Sequence, residues 1–419
     1  MGVRSGYKKT DVGIIPEEWG TMSLSQLSDF ITKGSTPTTY GFKWEENGVL
    51  FLRSECVSEQ GLDLGKSMFI STAAHAFLRR SEVRDGDILI TITGNVGRVV
   101  LLMGTGTANM NQHIARIRIS SPLVDVGFVY HFLSQPAVRR RFNSITTGQA
   151  YPQISLQQVR EAEVAIPLKP EQRTIAESLS DMDALIASLD RLIAKKRNLK
   201  QAAMQQLLTG QTRLPGFSGE WKLINMTEKS VLKARIGWQG LTTEEYRRTG
   251  DYLLVTGTDF SNGGVDWSKC WYVDRLRYVQ DRNIQLTVGD ILLTKDGSIG
   301  KVGFVDSLPC PATLNSGVFV IRPKKHAYVP QFLYFILASH IFEEFLTKLQ
   351  AGSTISHLYQ KDFTNFTFKA PEAVEQTAIV EVLSDMDADI AALEARRDKT
   401  RALKQGMMQE LLTGRIRMI

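Results

Sequence analysis

Leu179-Ser180-Asp181-Met182-Asp183-Ala184 recurs letter for letter as Leu383-Ser384-Asp385-Met386-Asp387-Ala388, 204 positions further on. Working outward, Glu171-Gln172 matches Glu375-Gln376, and Leu199-Lys200-Gln201 matches Leu403-Lys404-Gln405. Leu207-Leu208-Thr209-Gly210 matches Leu411-Leu412-Thr413-Gly414, each followed by a basic tail, Gln211-Thr212-Arg213-Leu214 or Arg415-Ile416-Arg417-Met418. Self-similarity at one fixed offset makes this 419-residue chain two tandem halves.

Within the first copy Ile175, Leu179, Met182, Ile186, Leu189 and Ile193 step by alternating fours and threes, and Leu199, Ala203 and Leu207 extend the stripe. The second copy offers Ile379, Leu383, Met386, Ile390 and Leu393, then Leu403, Met407 and Leu411. Steps averaging about 3.5 mark a coiled-coil seam. Pro167, Pro170 and Pro371 precede the copies and Gly210 and Gly414 close them, so each reads as one helix of about 38 residues, roughly 57 Å long. Residues 171–190 carry −4 and 191–208 carry +5; residues 375–394 carry −6 and 395–410 carry +3. The helix macrodipole alone calls for such a gradient. It also makes antiparallel packing the cheaper arrangement, because each acidic half then lies beside a basic one.

The parts before the helices repeat in outline. Gly86-Asp87-Ile88-Leu89-Ile90-Thr91 and Gly94-x-x-Gly97 align with Gly289-Asp290-Ile291-Leu292-Leu293-Thr294 and Gly297-x-x-Gly300, while Asn111 falls opposite Asn315 and Gly148 opposite Gly352. Elsewhere they diverge, which predicts one architecture with two different recognition surfaces. With 43% hydrophobic and 22% charged residues the chain can bury a sizeable core. No run reaches the roughly 18 apolar residues of a membrane span and the start lacks the apolar stretch of a secretory signal, so a cytoplasmic protein is expected. The two helices together carry −2 of the net +6, leaving the basic excess, +8, to the globular parts and tails. That charge permits a polyanionic partner.

Catalytic signatures are missing. There is no Pro-Pro for an adenine methyltransferase motif, no Pro-Asp for a nuclease core, no G-x-S-x-G and no H-E-x-x-H. Gly61-Leu62-Asp63-Leu64-Gly65-Lys66-Ser67 approaches a phosphate-binding loop, but the position needing glycine is Gln60. Cys56, Cys270 and Cys310 are odd in number and far apart, which indicates neither a disulfide framework nor a zinc site. No catalytic residue and no metal are expected in this chain.

Two different globular parts, duplicated helices ending in Leu-Leu-Thr-Gly-x-x-Arg, and the openers Gly13-Ile14-Ile15-Pro16-Glu17-Glu18-Trp19 and Leu214-Pro215-Gly216-Phe217-Ser218-Gly219-Glu220-Trp221 resemble the specificity subunit of type I restriction-modification systems. The resemblance covers essentially the whole chain. It implies an α+β fold with a pseudo-twofold internal repeat: two mixed α/β target recognition domains, residues 1–168 and 213–372, separated by two long antiparallel coiled-coil helices, the spacer segments 169–212 and 373–419. Each recognition domain would read one half of an asymmetric bipartite site in double-stranded DNA, the halves about one DNA turn, roughly 34 Å, apart. The helices would set the gap and dock two modification subunits, with restriction subunits joining for cleavage. S-adenosylmethionine, ATP and Mg would bind those partners, so no cofactor is expected in this chain.

Phosphate contacts orient such a protein and side chains at base edges read the sequence. In the first domain Lys33 and Thr36, in a loop like one that lies near DNA in this family, and Arg53 are candidate contacts; a solvated turn is the plain alternative. Asn95, Asn111, Gln112 and His113 offer groups for base edges, and Gln149, Tyr151 and Gln153 combine amides with an aromatic reader or wedge. The second domain offers Lys233, Arg235, Trp238 and Gln239, then Lys295, Asp296 and Ser298, then Asn315 and Ser316, and finally Ser353, Thr354 and His357. Trp238 could equally be core, and Asp296 could accept from a cytosine amine or orient Lys295. The competing readings are a stand-alone bipartite DNA-binding regulator and a coiled-coil adaptor whose globular parts bind protein.

Overall fold

The computed structural model describes residues 5–59, 61–148, 150–237, 240–350 and 357–418, with Gln350 described by its backbone alone. The chain divides into two compact units, Met1–Asp190 with Ala395–Ile419, and Arg191–Glu394. The first unit is therefore built from two stretches far apart in sequence.

In the first unit the strands of the two four-stranded sheets are β1 (Ser28–Lys33), β2 (Val49–Leu52), β3 (Met68–Ile70), β4 (Glu82–Val83), β5 (Ile88–Thr91), β6 (Val99–Leu101), β7 (Ala108–Met110) and β8 (Ile114–Ile119). One sheet has the order β6-β5-β8-β1 and is antiparallel throughout; the other is β3-β2-β7-β4, with β7 parallel to β2. All four residues of β5 are buried because layers cover both of its faces. Side chains alternate along a strand, so Ile88 and Ile90 join a core with Phe128 and Phe132 of helix α1 (Val126–Leu133). Ile175 and Leu179 of the long helix α2 (Lys169–Leu207) complete that core. Leu89 points the other way, onto Leu52, Val83, Val100 and Met110.

The second unit repeats the plan with β9 (Ser230–Ala234), β10 (Tyr252–Val255), β11 (Trp271–Val273), β12 (Ile291–Thr294), β13 (Val302–Phe304), β14 (Ala312–Leu314) and β15 (Val318–Pro323). The sheets run β9-β15-β12-β13 and β11-β10-β14. Ile291 and Leu293 face Phe332 and Ile336 of α3 (Pro330–Leu337) and Ile379 and Leu383 of α4 (Ala373–Leu411), while Leu292 faces Leu253 and Val255. The two sheets, and the helices on one side of them, make each unit α+β, in agreement with the fold the sequence implies.

Equivalent polar fasteners hold each sheet to its loops and each long helix to its unit. Asp87 accepts two bonds of 2.7 Å from Arg118, and Asp290 two of 2.6 Å from Arg322. At the start of α2, Gln172 accepts from the Asp125 N–H and donates to Pro167 O; at the start of α4, Gln376 does the same with Val329 and Pro371. The neighbouring acids Glu171 and Glu375, both buried, receive the paired N–H groups of Arg417 and Arg213. Those arginines also lie over Trp19 and Trp221 at 5.6 and 5.7 Å. The Glu-Gln, Trp and Gly-x-x-Arg motifs of each unit thus meet in one junction.

The glycines of these junctions are needed for their conformation and their space. Gly414 has φ +68° and a side chain there would come within 2.5 Å of Pro16, whereas at Gly210, φ +71°, the nearest approach is 3.2 Å to the Trp221 ring. Gly414→Ala should therefore cost the first unit about 3 kcal/mol and Gly210→Ala the second about 1–2 kcal/mol, from left-handed backbone plus the tighter contact. Hydrogen exchange of each unit in the two variants measures the difference.

In both units α2 and α4 run antiparallel. In the first, Asp183 pairs with Lys404 and Asp190 with Arg401 and Arg397; in the second, Lys200 pairs with Asp387, Lys196 with Asp389 and Arg197 with Glu394. The acidic half of each helix meets the basic half of the other. One detail of the expected seam is corrected: Leu199 and Leu403 are 50% and 57% exposed. The inner places go instead to Lys200 and Lys404, which reach across to the opposing acids, and Lys200 also lies 5.4 Å over Phe335. Beyond them Met204 and Leu208, and likewise Met408 and Leu412, resume the buried face.

Candidate nucleic-acid interface

In the first unit the ends of β1, β2, β5 and β7 lie together, because β5 and β1 both pair with β8 and β7 runs beside β2. Loops leaving these strands bond to one another. The Ser35 N–H donates to Met110 O at 3.2 Å, Ile92 N–H to His113 O at 2.9 Å, Gly94 N–H to Pro152 O at 2.8 Å, and Asn111 N–H to Leu52 O at 3.0 Å. This one end gathers Lys33, Thr36, Arg53, Asn95, Asn111, Gln112, His113, Tyr151 and Gln153.

Their surroundings differ. Lys33, Asn95, Gln112, Tyr151 and Gln153 are exposed. Thr36 donates to the Gln112 side-chain amide oxygen, the Gln112 amide nitrogen lies 3.2 Å from a ring nitrogen of His113, and the His113 and Tyr151 rings are 6.3 Å apart. Arg53 donates through two nitrogens to Lys66 O, at 3.2 and 2.9 Å, so it steadies a loop as well as carrying charge. Asn111 is buried and its amide oxygen accepts from the His113 N–H, which makes it a builder of the turn. Gln149 lies outside the described residues.

The second unit has the equivalent end. Asn315 N–H donates to Val255 O as Asn111 does to Leu52, and its amide donates to the Tyr246 hydroxyl at 2.8 Å. Its oxygen accepts from the Ser316 N–H at 2.7 Å. Lys295 places its ammonium 5.5 Å over Phe319, and Ser298 is exposed at the following turn. Asp296 pairs with His357 rather than with Lys295. Arg235 is 2% exposed, donating to Leu314 O at 2.8 Å and to the Thr313 hydroxyl, and burial pushes its guanidinium down from the usual arginine range. A guanidinium spent on the backbone inside the unit positions the β14 turn. Lys233 opens onto a groove of about 400 Å³ shared with Lys324 and Gln360. Trp238, Gln239, Ser353 and Thr354 lie outside the described residues.

Three neighbours of these loops escaped the sequence reading. Thr93 forms an isolated bridge with Gln153, just as Asp296 does with His357; carrying Asp296 back by the repeat offset would have found it. Tyr246 holds Asn315, and the exposed Arg248 stacks 4.0 Å over Trp271. They lie where the halves diverge, so no spacing pointed to them.

Each end thus presents amides, hydroxyls, imidazoles, a tyrosine and lysines on short loops held by backbone hydrogen bonds, the groups that pair with base edges and phosphates. Among the described residues no three His, Cys, Asp or Glu side chains converge as metal ligands, and no helix is long and apolar enough to cross a membrane.

The model of the type I restriction modification DNA specificity domain matches residues 16–196 and again 229–400. A putative type I restriction enzyme MjaX specificity subunit from Methanocaldococcus jannaschii is 23% identical over 98% of this chain and 96% of its own length. The EcoBI specificity subunit of Escherichia coli is 24% identical over 51% of this chain and 44% of its own. Among solved structures the S subunit of a type I restriction-modification system from M. genitalium aligns with a TM-score of 0.63 at 15% identity, covering 98% of both chains. A chain from a study of complex assembly and conformational transition in the type I system aligns at 0.57 with 17% identity, covering 96% of this chain and 99% of that one. Two copies of the domain on two copies of one framework lead to a single conclusion: the chain belongs to the family of type I restriction-modification specificity subunits, whose work is DNA sequence recognition.

Proposed function

We propose that each unit reads one half of an asymmetric bipartite DNA site through its strand-end loops, while the paired helices set the gap between the halves. The observation that carries this reading is that equivalent loop ends, built on the same β plan, present different side chains: Thr93, Asn95, Gln112 and His113 in one, Asp296, Ser298, Ser316 and Gly317 in the other. The same framework with changed side chains is what two different half-sites require. The chain lends specificity and no chemistry of its own. In the cytoplasm it directs two modification subunits, which bind S-adenosylmethionine and methylate adenine at N6. Restriction subunits using ATP and Mg join them for cleavage. The exposed Leu199 and Leu403, one in each unit on matching helix positions, support two equivalent docking places.

Sequencing the methylated adenines of cells that express the chain with a modification subunit tests the proposal. One asymmetric split motif is expected, and exchanging the globular part of one unit should change the letters of one half alone. A soluble, active complex that adds no methylation would favour the stand-alone regulator.

A further inference from the structure

The two loop ends share three backbone-directed bonds. In the first unit the Thr91 hydroxyl donates to Asn95 O, Gly97 N–H returns to Thr91 O at 2.9 Å, and Ile92 O accepts from Ile154 N–H at 2.9 Å. In the second the Thr294 hydroxyl donates to Ser298 O, Gly300 N–H returns to Thr294 O at 3.0 Å, and Lys295 O accepts from Leu358 N–H at 2.8 Å. Within this shared turn sits an antiparallel bridge, Thr93 with Gln153 in one unit and Asp296 with His357 in the other. The backbone is held constant and the chemistry changes from hydroxyl and amide to carboxylate and imidazole.

We propose that these bridges, Thr93–Gln153 and Asp296–His357, are equivalent base-reading positions, set for an A·T pair in the first half-site and a C·G pair in the second. The inference rests on the two-half DNA reading above. Gln153 is exposed, and among the described residues no side-chain hydrogen bond ties down Gln153 or Thr93. An amide carries both a donor and an acceptor, which matches N7 and N6 of adenine, and the threonine methyl suits the methyl of thymine. Asp296 is different. Its side chain is 42% exposed and one oxygen is engaged by Nδ1 of His357, leaving the other available. The Asp296 side chain borders Gly317, which stands where the first unit has His113, so no side chain rises there to cover it.

A carboxylate among phosphates is repelled unless it finds a donor. In the major groove guanine and thymine offer it acceptors, and adenine sets an acceptor, N7, beside its amine. Cytosine alone presents only a donor, N4. His357 fixes the direction of the carboxylate, so that its free oxygen meets that amine.

The test uses the full chain expressed with a modification subunit, comparing the parent with the double variant Asp296→Thr, His357→Gln, which copies the first unit's bridge. The parent should methylate a split motif with a C·G pair in its second half. In the variant, discrimination for that pair should fall about tenfold or more, with the first half-site and the gap unchanged. A parent motif lacking C·G in the second half, or a variant motif with the same letters, overturns the inference. If the variant complex methylates nothing, competition binding to duplexes altered one base pair at a time decides. Lost preference at one C·G position supports the inference, and equal weakening on every duplex shows a mere loop clamp and overturns it. A parent complex that methylates no split motif removes the two-half reading itself, a separate failure.

Discussion

Arg417→Ala should destabilise the first unit by about 3–5 kcal/mol and leave the second nearly untouched. Arg417 is the only described cation paired with Glu171, whose carboxylate it grips through Nε and Nη2 at 2.7 and 2.8 Å. Glu171 is 4% exposed, and its burial among Trp19 and the helix ends already pushes its carboxyl above the usual range. Removing the guanidinium strands a buried acid, and breaking such a pair costs far more than an exposed ion pair is worth. Trp19 loses its stacked cation as well. Hydrogen exchange should show Ile15–Trp19 and the first turns of α2 opening, while Arg213→Ala does the same to Trp221 and α4. Equal protection of both units in Arg417→Ala would refute the argument.

The second large effect is on pH. His131 in α1 is fully buried, with Nε2 on the Ser180 hydroxyl at 3.0 Å and, among the described residues, no hydrogen-bond partner for Nδ1. Burial, and then the nearby Lys404 ammonium, push its imidazole down to about 3. Asp183 lies 4.0 Å away but already holds Lys404, and Tyr130 packs beside the ring. The unfolded chain takes up a proton below about pH 6.5 and the folded one only near 3, so this contribution is complete above 6.5 and drains away as the pH falls towards 3. At about 1.4 kcal/mol per unit, roughly 2 kcal/mol is gone by pH 5. His131→Phe installs the residue that Phe335 supplies at the matching place in α3, and should flatten the loss. Melting the first unit at pH 8 and pH 5 checks it; an unchanged acid loss in the variant sinks the idea.

The sequence by itself determined what local pattern and repetition control. Alternating steps of four and three between proline and glycine specify α2 and α4, and unbroken Ile-Leu runs after Gly-Asp specify strands covered on both faces. The charge gradient along each helix made antiparallel pairing the cheaper arrangement, because each acidic half then lies beside a basic one. These features lie in contiguous residues, where geometry follows from short-range sterics and periodic burial.

What only the tertiary structure decided depends on residues far apart in the chain. Nothing near Arg417 says that it closes on Glu171, 246 positions earlier, and so ties the segment after α4 to the first unit. In the second unit the same junction is made by Arg213, which directly precedes the opener. Arg235 reads as a free cation until β14 is found to bury it. Leu199 and Leu403 read as seam residues until Lys200 and Lys404 are found to take the inner places and reach the opposing acids. Thr93 is an ordinary turn residue until Gln153, 60 positions on, is laid against it. Such contacts are chosen by how whole layers pack, which a one-dimensional pattern does not encode.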